Sequence, residues 1–466
     1  MITVEGIFSI ARVAEAVGGT WQNCDGDMVI TSVSTDTRTI EQGALFIALC
    51  GERFDGHQFV EKAIEQGAGC CVVQEGIPVP ENIPVITVAD TQAALRDLAE
   101  AYRMAFRIPV VGITGSVGKT STKEMIASVL REAYETHMTK GNFNNEIGLP
   151  LTVFGLEKSH EMMVLEMGMS NFGEIARLTK IGKPDTAVIT NIGVSHIEHL
   201  GSREGIKQAK FEILEGLPMD GAVVLNGDDD LLWGARGEVD YETLYYGMEN
   251  PNCDLVAYGV ETYSDSSTFF CKIDGEEYAF VVSVPGMHHI YNALAAILIG
   301  LRYNVPIADI KQGVRNFMPS GLRQTVIDLP NYRVIRDCYN ASPDSMRSGL
   351  SVLALMETEG RKVACLADML ELGEVSKSAH REVGKLVVEH KVDCLFAVGK
   401  EAHFIAEGAR DAGMPPENIF EFENNQELAG QLDKLLKKDD VILVKGSRGM
   451  RLEEIADAIA ALDNQE

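Results

Sequence analysis

The chain of 466 residues has no long uncharged apolar run, so no membrane-spanning helix is expected. Its start, Met1-Ile2-Thr3-Val4-Glu5-Gly6, lacks the basic segment leading into an apolar one that marks a secretion signal. A cytoplasmic protein without membrane insertion is the default expectation. Basic residues are outnumbered: 41 Lys and Arg stand against 69 Asp and Glu, giving a formal charge of -28. A nucleic-acid surface needs a basic face, so that class of partner is argued against. The nine cysteines are odd in number and show no C-x-x-C spacing. Most sit in apolar, strand-like runs, which points to reduced core cysteines rather than a disulfide framework or zinc site. Repeats and low-complexity segments are missing, as is the Asn-Lys-x-Asp motif of guanine-specific switch proteins.

What is present fits an ordinary soluble enzyme, with 45% hydrophobic and 24% charged residues. The length suggests about three domains. The most informative stretch is Val110-Val111-Gly112-Ile113-Thr114-Gly115-Ser116-Val117-Gly118-Lys119-Thr120-Ser121-Thr122. An apolar strand runs into a glycine turn, and a helix opens at Lys119 and reaches Leu130. Such a turn can wrap backbone N–H groups of Gly115, Ser116, Val117 and Gly118 around phosphate oxygens at a helix N-terminus. Lys119 supplies a mobile cation, Thr120 can place its hydroxyl on magnesium, and Ser121 follows in the same turn. The glycine spacing is shorter than the standard P-loop pattern.

The first segment, residues 1–88, alternates short apolar runs at 28–30, 44–49, 70–73 and 84–88 with polar turns, and reads as a small α/β domain. A helix over 91–106 leads into a central segment, 89–317. There strands at 108–113, 162–165, 186–190 and 222–226 alternate with helices, the pattern of parallel βαβ units. Residues 253–284 change texture to short antiparallel strands, and helices follow over 289–303 and to about residue 315. The turn Met318-Pro319-Ser320-Gly321 opens a last segment, 318–466, with strands at 332–336, 362–366, 394–398 and 441–445. The expected fold is therefore α/β in three domains. They are a small N-terminal domain, a P-loop ATPase-like parallel sheet with a small antiparallel sheet, and a Rossmann-like open sheet.

Ligands of open parallel sheets gather at the carboxyl ends of strands. Glu166, Asn191 and His196 fall at or beyond such ends, and Glu166 stands where P-loop enzymes put an acidic magnesium ligand. Helix 203–217 carries Lys207 and Lys210, the latter near its apolar boundary. Arg323 follows a turn, Asp337 ends a strand, and Ser342-Pro343 starts a helix.

Taken together these motifs resemble the Mur ligases of peptidoglycan synthesis, over essentially the whole chain. The resemblance rests on Ser34-Thr35-Asp36-Thr37-Arg38, Phe54-Asp55-Gly56-His57, the shortened phosphate loop and Gly141-Asn142-Phe143-Asn144-Asn145-Glu146-Ile147-Gly148-Leu149-Pro150. It continues through Glu166-Met167-Gly168-Met169, Tyr291-Asn292-Ala293-Leu294-Ala295-Ala296 and Tyr339-Asn340-Ala341-Ser342-Pro343-Asp344-Ser345-Met346. It ends with Asp368-Met369-Leu370-Glu371-Leu372-Gly373 and Lys445-Gly446-Ser447-Arg448. Ala367 stands where the family has glycine. The Asp-Asn-Pro-Arg motif of the branch that adds diaminopimelate or lysine is absent, and the resemblance, most specific in Gly141 to Pro150, implies the branch that adds D-alanyl-D-alanine to a UDP-N-acetylmuramoyl-tripeptide. A folate polyglutamate ligase would share the later segments but would not need the first.

The resemblance implies ATP as co-substrate and two magnesium ions. It places Lys119 on the ATP phosphates, Thr120 and Glu166 on magnesium, and His196 with a carbamylated Lys210 on a second ion. Asn292 would contact adenine, Arg323 the γ-phosphate and Asp337 the ribose. Lys119, His196, Lys210 and Arg323 are the expected catalytic set. The UDP-muramoyl-peptide would be held by Ser34, Thr35, Arg38, Asp55, Gly56, His57, Asn142, Asn144 and Asn145, with Tyr339 and Asn340 also at the substrate. A monomer is expected.

Overall fold

The computed structural model describes residues 8–51 and 54–463. Met1 to Gly6, and Glu52 and Arg53 just before the motif Phe54-Asp55-Gly56-His57, lie outside them. The described chain forms two compact units. One comprises Met1–Thr114, Ala133–Val188 and Ala209–Val223; the other comprises Gly115–Glu132, Ile189–Gln208 and Val224–Glu466.

The first unit contains a five-stranded sheet in the order Thr20–Gln22, Val85–Val88, Cys70–Gln74, Leu45–Ile47, Val33–Ser34. All neighbours pair in parallel except Thr20–Gln22, which runs antiparallel to Val85–Val88. The unbroken apolar run Cys70-Cys71-Val72-Val73 is buried on both faces, as parallel strands demand. Residues 28–30 depart from expectation. Val29 makes a single bridge to Ser9 and is 48% exposed, because the run lies beside the short lead into helix Ile10–Ala16 instead of a full strand.

The same unit holds the strands Thr136–Met138, Met162–Glu166, Val110–Thr114 and Thr186–Ile189, in that spatial order. Helix Thr91–Arg103 ends in a buried guanidinium. Arg103 donates to the carbonyls of Gly182 (3.1 Å), Phe106 (2.6 Å) and Ile108 (2.9 Å), which fixes the entry to strand Val110–Thr114. Burial lowers its pKa, so these neutral acceptors answer its donors.

In the second unit, Glu242–Gly247 pairs in parallel with Leu255–Val256. Helix Lys119–Leu130 packs on Met287–Arg302 and Ile307–Asn316. The strands Tyr258–Thr262, Ser267–Ile273 and Glu276–Val282 form a three-stranded antiparallel sheet. Asp274 (φ +52°) and Gly275 (φ +86°) close its second hairpin with the two positive φ angles of a type I′ turn.

The unit ends in a six-stranded open sheet: Thr325–Asp328, Tyr332–Arg336, Asp440–Lys445, Lys362–Ala367, Cys394–Val398, Ile419–Phe422. Only the first strand is antiparallel to its neighbour. Apolar layers cover both faces, and fully buried side chains such as Ile442 and Leu443 each contribute roughly 1.5–3 kcal/mol. Cys338, Cys365 and Cys394 lie in this core. Among the described residues no helix is long and apolar enough to cross a membrane.

Candidate active site

Strand Val110–Thr114 ends at the glycine turn, and helix Lys119–Leu130 begins directly after Gly118. Gly118 has φ +85°, a left-handed conformation that costs other residues about 1–2 kcal/mol. The turn is clasped from the next strand end. Val117 N donates to Asn191 Oδ1 (2.9 Å), while Asn191 Nδ2 (2.9 Å) and Thr190 Oγ1 (2.7 Å) donate to Val117 O. Gly193 N donates to Ser116 Oγ at 2.9 Å. Asn191, marked in the sequence by its strand-end position, thus sets the loop's shape. Lys119 Nζ donates to Gly115 O (2.7 Å) and Ser116 O (3.3 Å), so the ammonium is folded over the cradle it guards. Ser121 sits half-buried in the helix's first turn.

Thr120 is 3% exposed, and its Oγ1 has no hydrogen-bond partner among the described residues. A buried hydroxyl left unsatisfied costs about 1–3 kcal/mol, which suits a position completed by a cation. Glu166, 1% exposed, accepts from Asn144 Nδ2 at 2.7 Å, and its backbone N–H donates to Thr139 Oγ1 at 3.0 Å. Among the described residues no group of three or more His, Cys, Asp or Glu could hold a metal. Magnesium is commonly bound by one or two carboxylates together with substrate phosphates, so a hydroxyl and a carboxylate are a fitting donor pair.

Lys210 is 2% exposed, more deeply buried than its place on the sequence pattern suggested. The single helix expected over 203–217 is in fact helix Arg203–Phe211 followed by a 3-10 turn, Glu212–Gly216. The break has a cause: the Glu212 carboxylate accepts from Gly173 N (2.7 Å) and Ala176 N (3.2 Å) at the start of helix Glu174–Gly182. His196 stands before the short helix Ile197–Leu200 with φ +64°, and its Nδ1 lies 2.6 Å from Glu371 Oε2.

Asn292 is buried on helix Met287–Arg302, where its Oδ1 accepts from Thr122 Oγ1 at 2.9 Å. Beside it, burial pushes His288 down to about 4 and His289 well below the usual histidine range. Both rings are therefore neutral at physiological pH and suited to a neutral heterocycle. Arg323 stacks over the Tyr339 ring at 4.1 Å, which aims its guanidinium. Asp337 forms a buried ion pair with Lys445 at 2.7 Å, and Lys445 also donates to Asn340 O at 3.2 Å. Ser342 caps helix Pro343–Leu355 through a capping box with Ser345.

The first-segment residues form two local clusters. Ser34 Oγ bridges to Asp36 and Thr39, and exposed Arg38 grips Asp36 through Nε (3.0 Å) and Nη2 (2.6 Å), holding that carboxyl below its usual range. Thr35 is half-buried between them. His57 uses both ring nitrogens: Nε2 accepts from Gln74 N (2.9 Å), so Nδ1 carries the proton facing Asp55 Oδ1 (2.6 Å). Gly56 is required by close packing, since an added Cβ would lie 2.7 Å from Leu49 O. No hydrogen bond among the described residues joins the two clusters. Asn145 Oδ1 caps helix Gly148–Val153 by accepting from Gly148 N at 2.8 Å, and exposed Asn142 offers its carbonyl to Asn144 N at 2.7 Å.

Three family models tile this architecture. The Mur ligase family catalytic domain matches residues 29–103, the Mur ligase middle domain 113–300, and the Mur ligase glutamate ligase domain 322–448. The chain belongs to the Mur ligase family. It is 43% identical over 450 residues to the Bacillus subtilis UDP-N-acetylmuramoyl-tripeptide–D-alanyl-D-alanine ligase, covering 96% of this chain and 97% of that one. The Escherichia coli protein of the same name is 33% identical, covering 97% and 98%. Among solved structures, MurF from Acinetobacter baumannii superposes with TM-score 0.88 at 30% identity, covering 97% and 98%. MurF from Thermotoga maritima in complex with ADP gives 0.80 at 29%, covering 93% and 98%.

Within this Mur ligase several site residues escaped the sequence. Thr122 holds Asn292, and its only signal was its place one turn beyond Lys119. Thr139 acts through a partner distant in sequence, and so does Lys445, whose motif was read in the sequence but whose pairing with Asp337 was not. Ala367 is fully buried, and its methyl group is accommodated opposite Gly446, where an added Cβ would come within 2.8 Å.

Proposed function

We propose that this Mur ligase is an ATP-dependent amide ligase that adds D-alanyl-D-alanine to UDP-N-acetylmuramoyl-tripeptide, giving the pentapeptide precursor of peptidoglycan. The observation that carries this reading is the near-full-length identity of 43% to a ligase of that name. The clasped phosphate loop supports it. The tripeptide's terminal carboxylate attacks the γ-phosphate of ATP, releasing ADP and forming an acyl phosphate. The amine of D-alanyl-D-alanine then attacks the acyl carbon, loses a proton, and phosphate leaves.

Phosphoryl transfer of this kind is driven by positioning and charge neutralisation. Gly115, Ser116, Val117, Gly118 and Ser121 shape the cradle, and Lys119 moves from its loop carbonyls onto the phosphates. Arg323, aimed by Tyr339, adds charge at the γ-phosphate, and seating it needs closure of the third domain. Asn292 reads adenine beside neutral His288 and His289, and Asp337 accepts from the ribose. Thr120 and Glu166 would hold one magnesium, and His196 and Lys210, the latter carbamylated by CO2 to become an oxygen ligand, would hold a second. The metal supplies charge neutralisation on the phosphates. The UDP-substrate lies on Ser34, Thr35, Arg38, Asp55, Gly56, His57, Asn142, Asn144 and Asn145, with Tyr339 and Asn340 toward the peptide end.

The working domains in this reading are residues 1–88, 89–317 and 318–466, in a cytoplasmic monomer. The test is phosphate release with UDP-muramoyl-tripeptide, with and without D-alanyl-D-alanine. Dependence on both is expected; release that ignores either one removes the ligase reading.

A further inference from the structure

The motif Lys445-Gly446-Ser447-Arg448 has no place in the chemistry above, yet its lysine ends a strand beside Asp337. Lys445 closes strand Asp440–Lys445, which pairs in parallel with Tyr332–Arg336 on one side and Lys362–Ala367 on the other. Its side chain is buried, and Nζ donates to Asp337 Oδ2 at 2.7 Å and to Asn340 O at 3.2 Å. The backbone of Asp337 is pinned to the same strand, its N–H donating to Val444 O at 3.0 Å. Helix Pro343–Leu355 makes room for the pair with Gly349. An added Cβ there would lie 3.2 Å from Lys445 Cδ and 3.5 Å from Asp337 Oδ2.

A buried ion pair is weak evidence of stabilisation, because desolvation offsets much of the attraction. Two other buried carboxylates of this sheet show what a structural role looks like. Asp440, at the start of the same strand, has both oxygens filled. Its Oδ1 accepts from Arg361 N and Nε (3.1 Å each), and its Oδ2 from Arg361 Nη2 (2.6 Å) and Lys437 N (2.8 Å). Asp368 likewise uses both oxygens, accepting from the backbone N–H groups of Lys400 (3.2 Å), Glu401 (3.0 Å) and Ala402 (2.7 Å). Asp337 breaks this pattern. Among the described residues Lys445 alone bonds to its carboxylate, through Oδ2, and no hydrogen bond reaches Oδ1. This half-filled carboxylate stands at the carboxyl end of a parallel strand, where open sheets place their ligands.

We propose that Lys445 is a positioning residue for the nucleotide. By holding Oδ2 it turns Oδ1 of Asp337 toward a ribose hydroxyl, and its charge offsets the repulsion between that carboxylate and the phosphates. This rests on the reading of Asp337 as the ribose acceptor. A hydroxyl that donates to a carboxylate makes a bond about twice as strong as one to a neutral acceptor. The second bond of Lys445, to Asn340 O, steadies the loop around it. In that loop Tyr339 N donates to Leu322 O at 3.2 Å, and the Tyr339 ring carries Arg323. One ammonium thus anchors both the ribose acceptor and the loop on which the arginine stacks.

The test compares Lys445→Met, Lys445→Gln and Asp337→Ala in the full chain, with thermal denaturation as the check on folding. Calorimetry measures the affinity for ADP and for the ADP analogue that lacks both ribose hydroxyls. No turnover is needed, so the result stands apart from the ligase reading. The parent is expected to prefer ADP by about 10- to 100-fold, the range for a hydrogen bond to a charged group. Lys445→Met and Asp337→Ala should each bring that preference below about threefold. Lys445→Gln should fall between, because its amide can still donate to Oδ2 and keeps the carboxylate from being left bare. A parent without preference, or Asp337→Ala with the parent's preference, overturns the ribose reading and the proposal together. Loss in Asp337→Ala with full preference kept in either folded Lys445 variant overturns the proposal and leaves the ribose reading standing. Equal weakening of both ligands in the Lys445 variants, or failure of both to fold, would show a structural role and also overturn it.

Discussion

Gly115→Ala is the sharpest probe of the phosphate loop because its consequences can be worked out atom by atom. An alanine Cβ would lie 1.9 Å from Thr190 Oγ1, 3.0 Å from Thr190 Cβ and 3.2 Å from Thr190 N. The hydroxyl has to rotate away, which breaks its 2.7 Å bond to Val117 O at a cost of about 1 kcal/mol. The backbone contacts remain, and forcing them apart at a φ of +152°, which a side chain disfavours, adds about 1–3 kcal/mol. If the whole cost falls on the loop's readiness for nucleotide, ADP binding weakens by roughly 30- to 700-fold, at 1.4 kcal/mol per tenfold. Gly118→Ala is the control. Its nearest new contact is Asn292 Oδ1 at 3.5 Å, so only the left-handed backbone cost of about 1–2 kcal/mol applies. Thr190→Ala alone loses just its hydrogen bond. The double variant Gly115→Ala/Thr190→Ala escapes the worst contact and should bind ADP better than Gly115→Ala alone. Calorimetry with ADP measures all four proteins, and thermal denaturation checks that each is folded. Binding by Gly115→Ala within twofold of the parent, or a double variant weaker by the full sum, would refute the reasoning.

Lys210→Ala should be nearly inactive and partly rescued by a short carboxylic acid that replaces the carbamate oxygens; full activity without rescue argues against carbamylation. Asn292→Ala should raise the KM for ATP more than that for the dipeptide, and the reverse ranking in steady-state kinetics would misplace the adenine pocket. Asp228 gives a pH prediction. Burial opposes its charge, but the N–H groups of Met248, Asn250 and Glu249 and the Tyr291 hydroxyl outweigh this and hold its pKa below the usual range. Its stabilisation is therefore complete above the unfolded value of about 3.9 and is lost as pH falls through the lower folded value. Asp228→Asn should cost about 1 kcal/mol near neutrality, allowing for its partial exposure. Denaturant titrations should show the gap to the parent closing in acid, and a gap that widens there would contradict the assignment.

The strand, glycine turn and helix around Lys119 were legible because period, glycine and apolar run all agree locally. So were the short antiparallel strands within residues 253–284 and the helix start at Ser342-Pro343. What the sequence hid was long-range. Residues 325–328 and 419–422 are edge strands of half-exposed composition, whose pairing is decided by the sheet beside them. The helix break after Phe211 depends on where Glu212 finds Gly173 and Ala176. The burial of Lys210 and the clasp from Thr190 and Asn191 are likewise products of tertiary neighbours. The candidate residues could be named from motifs, but their hydrogen-bond partners could not.

The central claim is that the phosphate held by this loop activates a carboxylate. Tripeptide substrate labelled with 18O in its terminal carboxylate tests it most directly. Transfer through an acyl phosphate leaves one 18O in each inorganic phosphate released during ligation, read by mass spectrometry. Phosphate that carries no label while pentapeptide accumulates would contradict the account.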